Sequence, residues 1–220
     1  MLEPEVQILM STYNGEAYLE QQVNSILNQT FTNWQLLIRD DGSTDKTVEL
    51  IKQFEKQYPD KIKQVDHNNG GGSSKSFMGM LSLMSAPYGM FCDQDDFWER
   101  DKIALSLKKL KELEHKDPVA LVFTDMEVVS EDLKQERGSF LALQKLNPDW
   151  INNPNNLLAQ SIAAGCTMIF TSHLVKLVKP ISAPLFQHDH WLLINAAIYG
   201  YVGFCQERTV RYRQHSYNTI

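Results

Sequence analysis

The stretch Met90-Phe-Cys-Asp-Gln-Asp-Asp-Phe-Trp98 places three carboxylates within four residues, between apolar and aromatic neighbours. The residues 88–92 predict a buried strand that runs directly into these acids. Side chains alternate in direction along an extended segment, so Asp93 and Asp95 are expected to project the same way. The acids then stand at the C-terminal end of a strand, where open α/β sheets bind ligands.

The spacing of Asp93 and Asp95 bears on metal binding. Two carboxylates presented together repel and raise each other's pKa unless a cation lies between them. Mg²⁺ and Mn²⁺ prefer hard oxygen ligands and typically bind one or two carboxylates together with substrate phosphate. The sequence therefore predicts a metal–diphosphate site here, and a solvated acidic turn is the alternative interpretation.

Apolar runs alternate with amphipathic segments in the first half of the chain, which predicts β-α-β units. Strands are expected at 6–13, 34–39, 61–66 and 88–92, and helices at 16–29, about 44–58 and 75–84. Ser43 or Thr44 is expected to cap the second of these helices. Connections of helix length imply a parallel sheet with right-handed crossovers.

The regular alternation ends after the acids. Helices are expected at 99–114 and 189–199, and strands at 119–124, 163–170, 202–205 and 209–213. The polar segment 130–156, with two Asn-Pro pairs, predicts a long irregular crossing. We expect one α/β domain over residues 1–220, with a nucleotide-binding half at about 1–98 and an acceptor and catalytic half at about 99–220. The chain stops soon after a motif-like segment, which leaves open that it is part of a longer protein.

Composition and charge exclude some classes of protein. Hydrophobic residues make up 43% of the chain and charged residues 22%, as in ordinary globular proteins. The net charge of −6 argues against a general nucleic-acid surface. The three cysteines, Cys92, Cys166 and Cys205, are widely spaced in apolar surroundings, which indicates reduced core residues and a cytoplasmic protein.

Membrane insertion is not predicted. The acidic N-terminus does not resemble a signal peptide, and the weakly polar run 157–170 is too short to span a bilayer. We therefore expect a cytoplasmic protein with at most peripheral association at the inner face of the membrane.

Polar residues follow each predicted strand of the first half and recur near the C-terminus. They read Ser11-Thr-Tyr-Asn-Gly15, Asp40-Asp-Gly-Ser-Thr-Asp45, Asn69-Gly70, Asp93-Gln-Asp-Asp96, His188-Asp-His-Trp191 and Tyr212-Arg-Gln-His215. In this order they resemble the family 2 glycosyltransferases of the GT-A fold, and most of all bacterial enzymes of cell-surface glycan assembly, rhamnosyltransferases among them. The resemblance runs from Val6 to His215 and implies a mostly parallel central sheet flanked by helices in a single domain.

The resemblance implies donor-binding roles for residues of the first half. Ser11 and Tyr13 lie where the family wraps the nucleotide base, and Asp41 would accept the N3–H of uracil or thymine. An ionised carboxylate suits that contact because it only accepts hydrogen bonds. Asn69 and Lys75 would lie near ribose or phosphate. The alternatives are core packing for Tyr13, a helix cap for Asp41 and a solvated position for Lys75.

The resemblance also implies a role for each acid of the Asp-Gln-Asp-Asp motif. Asp93 would hydrogen-bond the ribose, and Asp95 would bind the Mn²⁺ or Mg²⁺ that bridges both phosphates. Asp96 is interpreted as support for the loop. His215 would complete the metal shell or close over the diphosphate. Asp40 is the second candidate for the base contact.

Asp189 stands in the place of the family's catalytic base. A hydroxyl that attacks an anomeric carbon must lose a proton, and an aspartate within hydrogen-bond reach can take it. The resemblance thus implies inverting transfer from a nucleoside-diphosphate sugar, with UDP-sugars favoured and dTDP-rhamnose next. The acceptor would be a glycan, glycoprotein or lipid-linked hydroxyl in surface polysaccharide or adhesin glycosylation. An N-cap aspartate is the structural alternative.

Two other classes fit parts of the pattern. A sugar-phosphate nucleotidyltransferase also places acids beside a metal, but it usually has a basic, glycine-rich loop where this chain reads Ser11-Thr-Tyr-Asn-Gly15. A non-catalytic nucleotide-sugar-binding module stays open on sequence alone. Neither a G-x-G-x-x-G nor a G-x-x-x-x-G-K-[ST] phosphate cradle is found in the chain. The sugar, the acceptor, the linkage and the oligomeric state, a homo-oligomer included, are left undetermined.

Overall fold

The structure is a computed structural model that describes residues 3–65, 72–178 and 187–216. Helices and strands follow in the order β1 (Val6–Thr12), α1 (Leu19–Leu27), β2 (Trp34–Asp40), α2 (Thr47–Gln57), β3 (Ile62–Val65), α3 (Ser73–Leu81), β4 (Tyr88–Cys92), β5 (Phe97–Trp98), α4 (Lys102–Glu114), β6 (Ala120–Ser130), β7 (Glu136–Ser139), α5 (Phe140–Leu143), α6 (Pro154–Ala159), β8 (Met168–Thr171), α7 (Ser172–Val178), α8 (His188–Tyr199) and β9 (Tyr201–Gln214). Short 3-10 helices lie at Pro148–Asn152 and Gly165–Thr167. This order confirms the predicted α/β class. Within the described ranges, no helix has the length and apolar character needed to cross a bilayer.

A single sheet runs through the molecule in the order β3-β2-β1-β4-β8-β6-β9-β5, with β7 paired to β6. The first four strands, β1 to β4, are parallel, as predicted. β8 runs antiparallel to both β4 and β6, whereas β6 and β9 are parallel, so the second half of the sheet is mixed. An apolar run does not encode its own direction, because the connection before it decides how the strand enters the sheet.

Apolar side chains cover both faces of this sheet. Ile8 and Met10 of β1 face α1, α2 and α4, whereas Leu9 between them faces α3, α7 and α8. Fully burying one such side chain stabilises the fold by about 1.5–3 kcal/mol relative to exposure. Both halves of the chain contribute to both clusters, for example Val122 to the first and Leu192 to the second. The sheet and its two layers of helices therefore form one domain.

The segment 130–156 is not the irregular crossing that its polar composition predicts. It contains β7, α5, a 3-10 helix and the start of α6. Pro148 and Pro154 stand in the first turns of two of these helices, and the asparagines before them accept backbone hydrogen bonds as caps. Proline fits the first helical position because its missing N–H has no partner there in any helix. The Asn-Pro pairs therefore mark helix starts.

Other elements also differ from the prediction. The predicted strand 163–170 is a 3-10 helix at Gly165–Thr167 followed by β8. The two C-terminal strands are one continuous strand, β9, with register shifts opposite residues 124–126 of β6. The helix α7 was not predicted. The predicted caps Ser43 and Thr44 lie in the loop before α2, and the backbone N–H of Thr47 bonds instead to Asp45 Oδ1 at 3.0 Å. Asp45 thus provides the contact that was expected from the two hydroxyls.

Candidate active site

The acidic loop after β4, residues 93–96, lies at the C-terminal edge of the parallel strands. Asp93 is partly buried, and this desolvation, together with the nearby carboxylates of Asp95 and Asp189, raises the pKa of Asp93 to about 7. Asp96 is fully buried, and burial beside Asp93 and Asp95 raises its pKa well above the ordinary range. Among the described residues, nothing donates a hydrogen bond to Asp96 Oδ2. The loop therefore gathers carboxyl groups that resist ionisation, which a bound cation would favour, and one of their buried oxygens has no described hydrogen-bond donor.

Two sets of ligand atoms at this loop fit a divalent cation. Ligand atoms of Asp93, Asp96 and Cys166 lie within 4.8 Å of one another. Separately, Asp95 Oδ2 lies 2.9 Å from His215 Nε2. Carboxylate oxygens suit Mg²⁺ and Mn²⁺, and an imidazole nitrogen adds affinity for a transition metal. The residues present thus fit the metal that the sequence predicts. Cys166, which lies 70 residues beyond Asp96, was not predicted as part of this site.

His215 is held against the acidic loop by an aromatic contact. Its ring stacks on Tyr18 with the ring centroids 4.6 Å apart. The Tyr18 hydroxyl donates to Glu131 Oε1 at 2.6 Å, and burial together with this carboxylate raises the pKa of Tyr18 to about 12. The hydroxyl therefore keeps its proton, and with it this bond, throughout the neutral range. Tyr18 was not singled out from the sequence, where it reads only as an apolar position of a helix.

Hydrogen bonds join the loop after β1 to the acidic loop. The backbone N–H of Tyr13 donates to Gln94 Oε1, and Gln94 Nε2 donates to the carbonyl of Tyr13, each at 2.9 Å. A Cβ at Gly15 would lie 2.2 Å from Gln94 Oε1, so a side chain there would require this amide to move. The Tyr13 ring is 58% exposed, which excludes core packing as its role and leaves a face on which a planar group can stack. Gln94 belongs to the acidic motif, but its hydrogen bonds to the loop after β1 were not predicted.

Asp40 and Asp41 at the end of β2 have different surroundings. Asp40 is buried, and its carboxylate accepts hydrogen bonds from the Thr12 hydroxyl, the Ser43 hydroxyl and the backbone N–H groups of Gly42 and Ser43. Asp41 is only partly buried, and its backbone N–H donates to the carbonyl of Thr12. The structure assigns Asp40 to the support of the loop. Asp41 is the more exposed residue of the two, so a ligand can reach it.

Ser11 and Lys75 lie beside the same side chain of α3. The Ser11 hydroxyl donates to Ser76 Oγ at 2.8 Å, and Lys75 is the exposed residue just before that serine. Among the described hydrogen bonds and ion pairs, neither residue contacts the acidic loop. Asn69 lies outside the described residues.

Asp189 lies in the first turn of α8 but does not cap it. The N-cap is Gln187, so the structural alternative predicted for Asp189 is excluded. Asp189 Oδ2 accepts from the backbone N–H of Gly165 at 3.1 Å, and Oδ1 accepts from that of His190 at 2.7 Å. The carboxylate is thus oriented by backbone donors from two segments. It also lies close enough to Asp93 to contribute to the raised pKa of that residue.

The neighbouring His188 is part of the core. Its ring stacks on Phe77 at 4.3 Å and meets Phe91 edge-on at 4.8 Å between centroids. Burial lowers the pKa of His188 to about 4, so the ring is neutral at neutral pH. A side chain packed in this way anchors α8 to α3 and β4, and so fixes the position of Asp189.

An α/β sheet with carboxylates at the ends of its parallel strands is typical of proteins that bind nucleotides at that edge. The family model for glycosyl transferase family 2 matches residues 7–174 of the chain. This match covers most of the sequence, and the protein belongs to glycosyl transferase family 2.

Among related sequences, the dTDP-rhamnosyl transferase RfbG of Shigella flexneri is 39% identical over 98 residues, which cover 43% of this chain and 34% of that protein. The UDP-Glc:alpha-D-GlcNAc-diphosphoundecaprenol beta-1,3-glucosyltransferase WfgD of Escherichia coli is 25% identical over 191 residues, 86% of this chain and 68% of that protein. The chain thus spans about a third of the first relative and about two thirds of the second.

Solved structures agree on the fold. TarS of S. aureus, residues 1–349 in complex with UDP-GlcNAc, superimposes with a TM-score of 0.70 at 18% identity, over 97% of this chain and 60% of that one. The mannosyltransferase PcManGT of Pyrobaculum calidifontis, in complex with GDP-Man and Mn²⁺, gives a TM-score of 0.66 at 17% identity, over 94% and 57% of the two chains. The fold of this chain is therefore GT-A, as the sequence resemblance implied.

Proposed function

We propose that the protein is an inverting glycosyltransferase that moves a sugar from a nucleoside-diphosphate sugar to a hydroxyl group. The observation that carries the proposal is the position of Asp189, which is fixed by two backbone donors and lies close enough to Asp93 to affect its ionisation. An acceptor base and the acids of a donor site thus face one space. A non-catalytic binding module does not need a base for the acceptor. A nucleotidyltransferase does not need one either, because its reaction does not deprotonate a sugar hydroxyl.

In this proposal, the residues at the strand ends bind the donor. The exposed Tyr13 ring is suited to stack on the base, Asp41 to accept from the N3–H of uracil or thymine, and Asp93 to bond the ribose. Asp95 and His215 would hold Mn²⁺ or Mg²⁺, which when bound supplies positive charge beside the departing diphosphate.

Asp189 performs the proton transfer in this mechanism. The acceptor oxygen forms a bond to the anomeric carbon while the bond from that carbon to the diphosphate oxygen breaks, and the hydroxyl proton passes to the Asp189 carboxylate. Attack opposite the leaving group inverts the configuration, and no covalent intermediate with the protein is required. The hydrogen bonds from Gly165 and His190 hold the carboxylate in one orientation before the acceptor arrives.

The similar proteins narrow the substrates that we propose. Their names include dTDP-rhamnose, UDP-glucose and UDP-GlcNAc as donors, and GlcNAc linked to diphosphoundecaprenol as an acceptor. We favour a UDP-sugar, with dTDP-rhamnose second, because both bases present the N3–H edge that Asp41 would read. A lipid-linked glycan is the favoured acceptor, which places the protein in the cytoplasm at the inner face of the membrane, in surface-polysaccharide assembly.

A donor panel tests the proposal. UDP-glucose, UDP-GlcNAc, dTDP-rhamnose and GDP-mannose are each incubated with the protein and Mn²⁺, and release of the nucleoside diphosphate is measured with and without EDTA. We expect slow, Mn²⁺-dependent release of UDP or dTDP by transfer to water. Formation of sugar 1-phosphate on addition of pyrophosphate would identify a nucleotidyltransferase. Nucleotide binding without turnover, even with lipid-linked acceptors, would identify a binding module.

A further inference from the structure

Arg213 of β9 is buried, with 3% of its surface exposed, and its guanidinium bonds to three separate segments. Nε donates to the backbone carbonyl of Asp95 at 2.8 Å, in the acidic loop. Nη2 donates to Gln21 Oε1 of α1 at 2.6 Å, and Nη1 donates to the backbone carbonyl of Glu131, just after β6. One side chain therefore joins the acidic loop to two elements that are distant from it in sequence.

The same residue makes two further contacts with the site. Its backbone N–H donates to Asp96 Oδ1 at 3.4 Å. Its guanidinium carbon lies 4.8 Å from the centroid of the Tyr18 ring, the ring on which His215 stacks. Arg213 thus contacts Asp95, Asp96 and Tyr18, the ring on which His215 stacks. Its guanidinium N–H groups bond to protein acceptors on three sides.

We infer that Arg213 is the positioning residue for the metal ligands Asp95 and His215, an inference that rests on the proposed function. Its planar fork carries donors on three separate nitrogens and so reaches three acceptors that are spread too widely for the single ammonium nitrogen of lysine. Arg213 holds the backbone of Asp95, and the imidazole of His215 stacks on the ring of Tyr18. The carboxylate and the imidazole are therefore a preorganised pair of metal ligands. Residues that orient metal ligands in this way typically change metal affinity by 10- to 100-fold when they are replaced.

Arg213→Lys separates this role from a purely electrostatic one. The variant keeps the positive charge, so the field at the metal site changes little, but it removes the fork. Arg211→Lys is the matched control on the same strand, since Arg211 pairs with Glu99 at 2.8 Å and Glu136 at 3.3 Å and makes no described contact with the acidic loop. Gln21→Ala removes one acceptor of the guanidinium from the exposed side of α1 and tests the same contact if Arg213→Lys does not fold.

The experiment measures the Mn²⁺ dissociation constant of the full chain by electron paramagnetic resonance, with and without UDP, alongside the melting temperature. We expect the Kd for Mn²⁺ to rise by about 10- to 100-fold in Arg213→Lys. The Kd should rise about threefold or more in Gln21→Ala, a smaller change because only one acceptor of the guanidinium is lost. It should stay within about twofold in Arg211→Lys, because Arg211 makes no described contact with the acidic loop. Asp95→Asn, which removes a ligand itself, sets the upper limit of the loss.

The possible results distinguish failure of the proposed function from failure of the inference about Arg213. If the wild type binds neither Mn²⁺ nor UDP, the proposed function fails and the inference fails with it. If the wild type binds both and a folded Arg213→Lys keeps its Mn²⁺ affinity, the inference alone is overturned. Weakened UDP binding with unchanged Mn²⁺ affinity would also overturn it, because Arg213 would then be a diphosphate ligand. Should Arg213→Lys not fold, unchanged Mn²⁺ affinity in Gln21→Ala overturns it.

Discussion

At the end of β2, the carboxylate of Asp40 is enclosed by donors, whereas Asp41 is only partly buried. Asp41→Ala should therefore weaken UDP binding by about ten- to a hundredfold, the value of a charged hydrogen bond of about 1.5–3 kcal/mol, and leave the melting temperature unchanged. Asp40→Ala should instead destabilise the fold by about 1–3 kcal/mol, because buried donors lose their acceptor. Calorimetric titration and thermal melts of both variants measure this. The reverse pattern would assign the base contact to Asp40.

Asp189→Asn separates binding from chemistry at the proposed base. The amide is nearly isosteric and retains an oxygen for the N–H of Gly165, so the fold and the donor affinity should survive. Asparagine cannot take up the acceptor's proton, and general-base catalysis contributes about 10²–10⁴-fold, so kcat for transfer should fall by that factor. Release of UDP by transfer of the sugar to water should fall less than transfer to the acceptor. Unchanged transfer would move the base elsewhere, and loss of donor binding would make Asp189 a donor-site residue.

Lys102 is fully buried beneath the acidic loop. Its ammonium lies 4.8 Å from the centroid of the Trp98 ring and 3.4 Å from Thr209 Oγ1. Burial lowers the pKa of Lys102 to about 8, below the 10.5 of the unfolded chain. The folded state therefore gives up this proton first, and the cost of the buried charge is present at pH 7 and is relieved as the pH rises from about 8 toward 10.5.

The wild type should accordingly gain stability relative to Lys102→Met when the pH is raised. Between pH 7 and 9.5 the difference in unfolding free energy should shift by about 2 kcal/mol in favour of the wild type, since one proton over 1.5 pH units corresponds to this amount. Urea denaturation at both pH values measures it. Lys109→Met is the control, because Lys109 pairs with Glu112 at the surface of the same helix and should show no such shift. An equal difference at both pH values would contradict the prediction.

Residues of the site were predictable where the chemistry is contained in a short segment. Asp93 and Asp95 follow a strand directly, and an acidic pair at a strand end has few purely structural uses. Gln94, Cys166 and Arg213 were not predictable, because their roles come from partners 81, 70 or 118 residues away. Gln94 lies in the Asp93–Asp96 motif and Arg213 in the Tyr212–His215 motif, but the order of the residues does not show which distant groups these side chains contact. Cys166 lies in an apolar run without such a motif.

At the scale of elements, the turn from α8 to β9 determines where Asp189 and His215 lie relative to each other. A Cβ at Gly200 would lie 1.9 Å from the backbone carbonyl oxygen of Val119, and that oxygen accepts the N–H of Tyr201, where β9 begins to pair with β6. The backbone of Val119 cannot move away from the added methyl group as a flexible side chain could. The turn therefore requires glycine for lack of space.

Gly200→Ala should destabilise the fold by about 3 kcal/mol, the upper range for overpacking. Gly203→Ala, three residues further on in β9, is the matched control, since its new methyl group would meet mainly a methyl of Leu113, which can move. We expect a clearly smaller loss there. Chemical denaturation of both variants measures the two values, and equal losses would show that backbone contact at Gly200 is not the cause.

The elements themselves were predicted where hydrophobic period and punctuation agree, as in β1, α1 and β4. The prediction was wrong where one residue type has two uses. Asn147-Pro148 and Asn153-Pro154 serve loops and helix starts equally well, and only packing decides between them. The division of β9 into two strands has a similar cause, because the polar residues 206–208 form an irregularity within a strand whose pairing to β6 continues on both sides.

At the scale of the whole molecule, the donor and acceptor halves are not separable units. β4 of the first half pairs with β8 of the second, and β5 pairs with β9, so the boundary near residue 98 is crossed by backbone hydrogen bonds. The two apolar layers also draw on both halves. The packing thus extends over the entire sheet and does not stop at the boundary that the sequence predicts between the two halves.

This continuity predicts how the protein unfolds and how ligands stabilise it. Tryptophan fluorescence and far-ultraviolet circular dichroism should report one coincident transition, because neither half keeps a complete core without the other. UDP with Mn²⁺ at about 100 times the dissociation constant should stabilise the folded state by about 2.7 kcal/mol, which corresponds to about 5–10 °C for a domain of this size. The whole transition should shift, even though the nucleotide would contact mainly the first half. Asp41→Ala should reduce the shift at the same ligand concentration. Two transitions, of which the ligand moves only one, would show that the halves fold separately and that the shared sheet does not couple them.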